Sequence, residues 1–492
     1  MILRFLLVAL QLTVPVPAAT TPAESRLIAA IRADVMKAHI SFLASDLLEG
    51  RDTPSRGLEL AEEYIAAQFR RLGLDPISTD GSYFQTASFL KVTQPMNGFR
   101  VKVELPDGKS WESMGPKVLV NSAAALHASN LEVVKISITD ENGPLPAREA
   151  IAGKAVVLYI SQMTPGILAR RTELIAMEPS VVLTPGVLFN QRYQLRDASR
   201  PQQTAAPMII TSDTDFAAFA ADLPEGDTPA KLSLDIGAPV EEPVTLRNVA
   251  ARLPGADPAL KNQHILLTAH HDHVGVLARG DGDRIFNGAN DDASGVATVL
   301  ALAEAFSSAS ERPKRTLIFM TYFGEEKGLL GSRYYASHPV VPLKDTVANL
   351  NFEQMGRTDD REGPRVGKIT ATGFDYTTIG ETLTEAANAT GVESWIHEKN
   401  NDAYFSRSDN QSLANFGVPA ITLLVAWNFP EYHRPGDHWE KIDYSNMQNV
   451  VRTVALTVSR IANSAEPPKW LPANPRIVKY LKAFQSLHAI GN

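Results

Sequence analysis

Apolar residues recur at helical spacing near the start of the chain: Ile28, Ile31, Val35 and Ile40, then Leu60, Tyr64, Ile65 and Phe69. The pattern predicts helices over residues 24–75, closed by Gly73, a residue suited to a helix C-terminus. Between 85 and 245 the period shortens. β-type runs at 99–105, 133–138, 155–160 and 207–210 alternate with Pro, Gly and Asn, and long amphipathic helices are few. This texture predicts a strand-rich module inserted between two parts of another domain. From about 246, apolar runs at 264–269, 316–322, 347–352, 368–372 and 420–425 alternate with helical patterns beginning near Ala293, Glu326, Tyr376 and Asn446. Apolar strands separated by helices predict an α/β fold with a mostly parallel central sheet flanked by helices on both faces. In such sheets ligands bind beyond the carboxyl ends of the strands.

Composition narrows the field. At 492 residues and 44% hydrophobic content the chain exceeds what one core usually packs, so two or three domains are expected. A net charge of -8 with no dense Lys/Arg block argues against nucleic acid as a partner. There are no cysteines, which excludes thiolate zinc sites, Fe–S clusters and disulfides; any metal must be held by His and carboxylates. Arg4, the apolar run 5–10, and Val16 and Ala18 at signal-peptidase spacing read as a signal peptide over 1–18. Pro15 and Pro17 oppose a buried first helix there. The run is too short to span a membrane, and no later segment reaches about 18 uninterrupted apolar residues. The expectation is export to the periplasm or medium, without stable membrane association after cleavage.

Candidate chemistry collects where strands should end. The run 264–269 leads into His270, His271, Asp272 and His273, three of the eleven histidines in the chain. In an extended segment His270 and Asp272 share a face, so Asp272 can orient His270 as carboxylates orient metal-bound imidazoles. A loop of solvated histidines fits the same residues. Asp291 and Asp292 precede a helix of small and apolar residues, and read either as an N-cap or as a carboxylate shared by two metals. The strand 316–322 is followed by Gly324, Glu325 and Glu326; adjacent glutamates cannot occupy one position, so one can bind metal while the other handles protons. Negative charge at a helix start is the alternative. Glu353 ends the strand 347–352, and His433 sits in a loop with Asp437 nearby as a second possible orienter. His, Asp, Glu, Glu and His converging on strand ends suit zinc, or manganese or cobalt, and a two-metal centre.

In the stretches 268–275, 287–295, 324–332, 351–357 and 432–437, in this order, the chain resembles the co-catalytic zinc aminopeptidase family, which also includes glutamate carboxypeptidases and the transferrin receptor ectodomain. The stretch 43–51 is similar to bacterial exported members. The family-like sequence spans roughly 25–90 and 245–465, and 151–158 is the best match to the protease-associated domain often inserted between. The expected organisation is a signal peptide at 1–18, the N-terminal part of the peptidase domain at 24–105, the inserted protease-associated-like domain at 106–243, the catalytic domain at 244–465 and a tail at 466–492.

The resemblance implies two Zn2+ per chain. His270 and Glu353 would hold one, Glu326 and His433 the other, and Asp291 would bridge them, with a cis peptide to Asp292 as in relatives. Glu325 would be the general base acting on the bridging water, with Asp272 supporting His270 and Tyr432 stabilising the oxyanion. It implies hydrolysis of the N-terminal residue of peptides through a metal-bridging hydroxide. Two departures bear on substrate: Glu353 stands where aminopeptidase relatives usually carry Asp, and Ser408, Asp409 and Asn410 stand where Ser-Asp-His is common. A carboxypeptidase or dipeptidase on the same scaffold is the alternative, and a non-catalytic receptor-like protein is a further one.

Overall fold

The computed structural model describes residues 20–489, except 116, 162–164, 187, 189–192, 201–205 and 278–279. The expected signal peptide lies outside the described residues. Among them, no helix is long and apolar enough to cross a membrane.

The larger sheet is mixed, with a parallel centre. Its strands run in the order Glu393–Ser394, Lys368–Thr372, Ala420–Leu424, Thr346–Phe352, His264–His270, Thr316–Tyr322, Val240–Leu253, Phe84–Thr93 and Gln194–Asp197. The four strands at its heart, from Ala420–Leu424 to Thr316–Tyr322, are mutually parallel, and antiparallel strands continue the sheet on either side. Nearly every side chain of those four is buried on both faces, which explains their unbroken apolar sequence. The helix Ser294–Ser307 packs on them and is itself buried almost all round. That burial requires the small and apolar composition that its sequence shows. Arg56–Arg71 is amphipathic instead: Ser55 caps its first turn at Leu58, and Leu58, Ala61, Ile65 and Phe69 turn inward.

A second sheet of eight strands has its own core around Phe99, Trp111 and Phe216. It includes Arg100–Glu104, which pairs with Ser110–Ser113 and Gly226–Ile236. The boundary expected after residue 105 would assign that strand to the first sheet. Conversely, Gln194–Asp197, inside the expected insertion, pairs with Phe84–Thr93 at the edge of the larger sheet. The two units therefore exchange a strand. Two helices, Pro165–Ile175 and Thr214–Asp222, also lie in the stretch expected to be poor in them.

Other differences have local causes. The helix expected to begin near Glu326 begins at Leu330, because Gly324, Gly328 and Leu329 take positive φ and turn the chain first. The described part of the segment expected as a tail, 466–489, is no loose tail. Trp470, Ile477 and Tyr480 are buried in a cluster beneath the sheet, Trp470 stacks on Tyr480 at 5.2 Å, and its Nε1 donates to the Gly417 carbonyl at 2.8 Å. Trp470→Ala is expected to lower unfolding free energy by about 3–5 kcal/mol in urea titration, as for other buried aromatics. A loss below about 1 kcal/mol would mean that the segment only rests on the surface.

Candidate metal centre

Three adjacent parallel strands deliver side chains to one edge of the sheet. His270 closes the strand His264–His270, Glu325 and Glu326 follow Thr316–Tyr322, and Glu353 follows Thr346–Phe352. His270 Nδ1 lies 3.2 Å from the backbone carbonyl of Asp272 and 3.5 Å from its Oδ1. An Nδ1–H donated there leaves Nε2 facing Asp291 Oδ1 at 3.2 Å. The other oxygen of Asp291 lies 3.1 Å from His433 Nε2, which is also 3.2 Å from Glu326 Oε2. One carboxylate thus stands between two imidazoles, one on each oxygen.

The Asp291 turn is held from behind. The Asp291–Asp292 peptide is cis. Asp292 points the other way, its Oδ1 accepting from Gly295 N at 3.0 Å and its Oδ2 from His270 N at 3.3 Å. Capping and ligand-facing roles, read as alternatives for the pair, fall to different residues. Asp437 is engaged here: its Oδ2 accepts the backbone N–H groups of Asn290 and Asp291 at 2.9 and 3.1 Å. Asp272 Oδ1 accepts Glu325 N at 3.0 Å, so the expected orienter of His270 also fixes the backbone of the expected base.

The electrostatics are those of carboxylates gathered away from water. Burial, aided by Glu353, Glu326 and Asp409 against His270, holds the Glu325 carboxyl well above the usual range. Burial likewise pushes Glu353 up to about 7, with Asp291 and Asp409 adding to it and His270 opposing. Burial opposes charge on His433 as well, yet Glu326 and Asp291 raise it to about 10. Such crowding is costly without a compensating cation.

The donor set fits zinc. His273, Asp291, Glu326 and His433 each offer a ligand atom, and these atoms lie within 4.8 Å of one another. The 3.1–3.2 Å separations from Asp291 to the two histidines suit pairs of donors held about 2 Å from a shared cation. Glu353 Oε1 accepts a hydrogen bond from Ser408, whose Oγ also accepts from Asn351 Nδ2 at 2.7 Å; no ion pair joins Glu353 to His270 among the described residues. Tyr432 stacks on the His433 ring at 4.0 Å and is 42% exposed as a residue, while burial of its hydroxyl, with Asp291 and Glu326 adding to it, holds its pKa well above the usual range. Asn410 bonds to Phe405 and Thr422, as suits a residue not expected to be a ligand.

His273 was the residue the sequence left without a role. Its Nδ1 meets Glu326 Oε1 at 2.8 Å, and its buried Nε2 has no hydrogen-bond partner. It therefore meets one oxygen of Glu326 while His433 meets the other. Three histidines in four residues were the available signal, but spacing alone did not separate this one from His271, whose Nδ1 meets Thr321 instead.

Residues 248–458 match the model of peptidase family M28. A probable zinc metalloprotease of Pyrenophora teres f. teres is 26% identical over 263 residues, 49% of this chain and 54% of that protein. Leupeptin-inactivating enzyme 1 of Streptomyces exfoliatus is 29% identical over 193 residues, 39% of each. The chain spans about half the length of the curated relatives it matches. An aminopeptidase from Aneurinibacillus sp. strain AM-1 superposes with TM-score 0.60 at 20% identity, covering 92% of this chain and 98% of that one. BSAP, a zinc aminopeptidase from Bacillus subtilis, gives 0.56 at 17%, covering 89% and 96%. At these identities the solved structures establish a common fold.

His273→Ala should weaken zinc binding about 10- to 100-fold, the usual effect of losing an orienting partner. A chelator-competition titration measures it, and wild-type affinity would show that Glu326 needs no such support.

Proposed function

We propose that the protein is a zinc-dependent exopeptidase, an aminopeptidase that removes the N-terminal residue of peptides. The observation that carries the reading is Asp291, whose two oxygens face His270 on one side and His433 on the other. This supports one cation on each side of a shared carboxylate, with His270 and Glu353 for one, Glu326 and His433 for the other. Two such cations would lower the pKa of water toward neutrality and polarise the scissile carbonyl. The remaining steps belong to the protein. Glu325 would take the proton of the attacking water and return it to the leaving amine, as a positioned carboxylate does. Tyr432 would donate its O–H to the oxyanion. Cleavage at the N-terminus is supported by the aminopeptidase names of the solved structures that share the fold.

A carboxypeptidase or dipeptidase remains the second reading, favoured by Glu353 in place of the Asp of aminopeptidase relatives. We also infer export, from residues 1–18, and a protease-associated identity for the second sheet, from the match at 151–158.

Glu325→Gln should lower kcat by at least about 100-fold, the contribution of a positioned base, while zinc content stays unchanged. Full turnover by this variant would remove Glu325 from the mechanism. N-acetylation of a peptide substrate should abolish cleavage, whereas cleavage blocked only by C-terminal amidation would establish the second reading. Chelation should abolish activity and lower Tm, because cations that bind only the folded state stabilise it. An unchanged Tm and activity in chelator would contradict the metal assignment.

A further inference from the structure

The catalytic reading gives no task to the turn Asp46–Arg51, although it is threaded into the loops behind the candidate ligands. Gly50 is pressed so closely on this region that a Cβ would stand 2.5 Å from the Gly275 carbonyl and 2.6 Å from that of Phe286. Its carbonyl accepts Gly275 N, and that of Arg51 accepts His273 N. Arg51 is the unusual member, a guanidinium 1% exposed with no ion pair within 4.0 Å among the described residues. Its donors go to main-chain carbonyls instead: Nε to His271 at 2.9 Å, Nη1 to Asn287 at 2.7 Å and to Leu43, and Nη2 to Gly288 at 3.0 Å. The carbonyl of His271 lies one residue after His270, and those of Asn287 and Gly288 lie four and three before Asp291. The next residues extend the grip. Thr53 donates to Asp272 Oδ2 at 3.2 Å, Asp52 pairs with Lys327 at 2.8 Å, and Tyr193, just before the exchanged strand, donates to Asp52 Oδ2 at 2.9 Å.

A buried cation persists only if its donors are satisfied, and a planar fork satisfies more of them in fixed directions than an ammonium does. Burial lowers the pKa of Arg51 to about 10, while Asp272, Asp292, Asp437 and Asp291 oppose that fall, so the side chain remains a cation facing the carboxylates of the centre.

We propose that Arg51 is a positioning residue of the metal centre, its guanidinium joining the loop after His270 to the loop before Asp291 and so setting how tightly the centre holds its cations. The proposal rests on the two-metal reading above. It differs from a purely stabilising role, in which the whole domain would weaken and the folded protein would bind metal as before.

The test is Arg51→Lys in the full chain, titrated with Zn2+ by chelator competition and loaded with Co2+ for its visible spectrum, at a temperature where wild type and variant are both folded. Zinc affinity about 10- to 100-fold weaker, with a changed cobalt spectrum, is expected from loss of an outer-shell support. A folded variant with wild-type affinity and spectrum and only a lower Tm overturns the proposal. If Arg51→Lys does not fold, Thr53→Val decides. Weaker zinc binding with a changed cobalt spectrum supports the clamp, and wild-type behaviour overturns it. A wild-type chain that binds neither metal refutes the two-metal reading itself, which distinguishes that failure from failure of the clamp alone.

Discussion

The site turns on one buried carboxylate that faces two imidazoles. Asp291 can stand between His270 and His433 only because its turn is fixed from three directions. Asp437 takes the backbone N–H groups of Asn290 and Asp291, Asp292 caps the following helix, and Asn290 Oδ1 accepts the N–H groups of Gly356 and Arg357. A misplaced bridging group would cost the whole site, since both histidines are oriented toward it.

The fold supplies this arrangement by convergence at strand ends. Parallel neighbours in register release their last residues on the same edge of the sheet, so His270, Glu325 with Glu326, and Glu353 arrive together from three separate stretches of sequence. The helix Ser294–Ser307, buried on all sides, anchors the turn that carries Asp291. Crowded acids at this edge explain why burial raises Glu325 and Glu353 together. A base with a raised pKa follows from the same crowding.

Much of this was legible because it is local. Apolar runs broken by His, Asp or Glu mark the ends of parallel strands, and the runs 316–322 and 368–372 match the observed strands Thr316–Tyr322 and Lys368–Thr372. What was illegible is non-local. Arg100–Glu104 and Gln194–Asp197 are assigned to their sheets by partners far along the chain, and no composition change marks the exchange. Trp470 and Tyr480 look like residues of a tail until Gly417 and Phe405 are placed beside them. Asp437 reads from sequence as a neighbour of His433, and its hold on the backbone at Asn290 and Asp291 is visible only in the fold. Arg51 escaped for another reason: its partners are carbonyls, which every residue has, so no pattern of side chains announces them.

The central claim is that Asp291 is shared by two cations. The most direct measurement is zinc content per folded chain, by elemental analysis, in wild type and in Asp291→Asn. The account predicts about two zinc ions in the wild type, as a shared carboxylate requires, and less than one in the variant. Equal zinc content in the two proteins would contradict it.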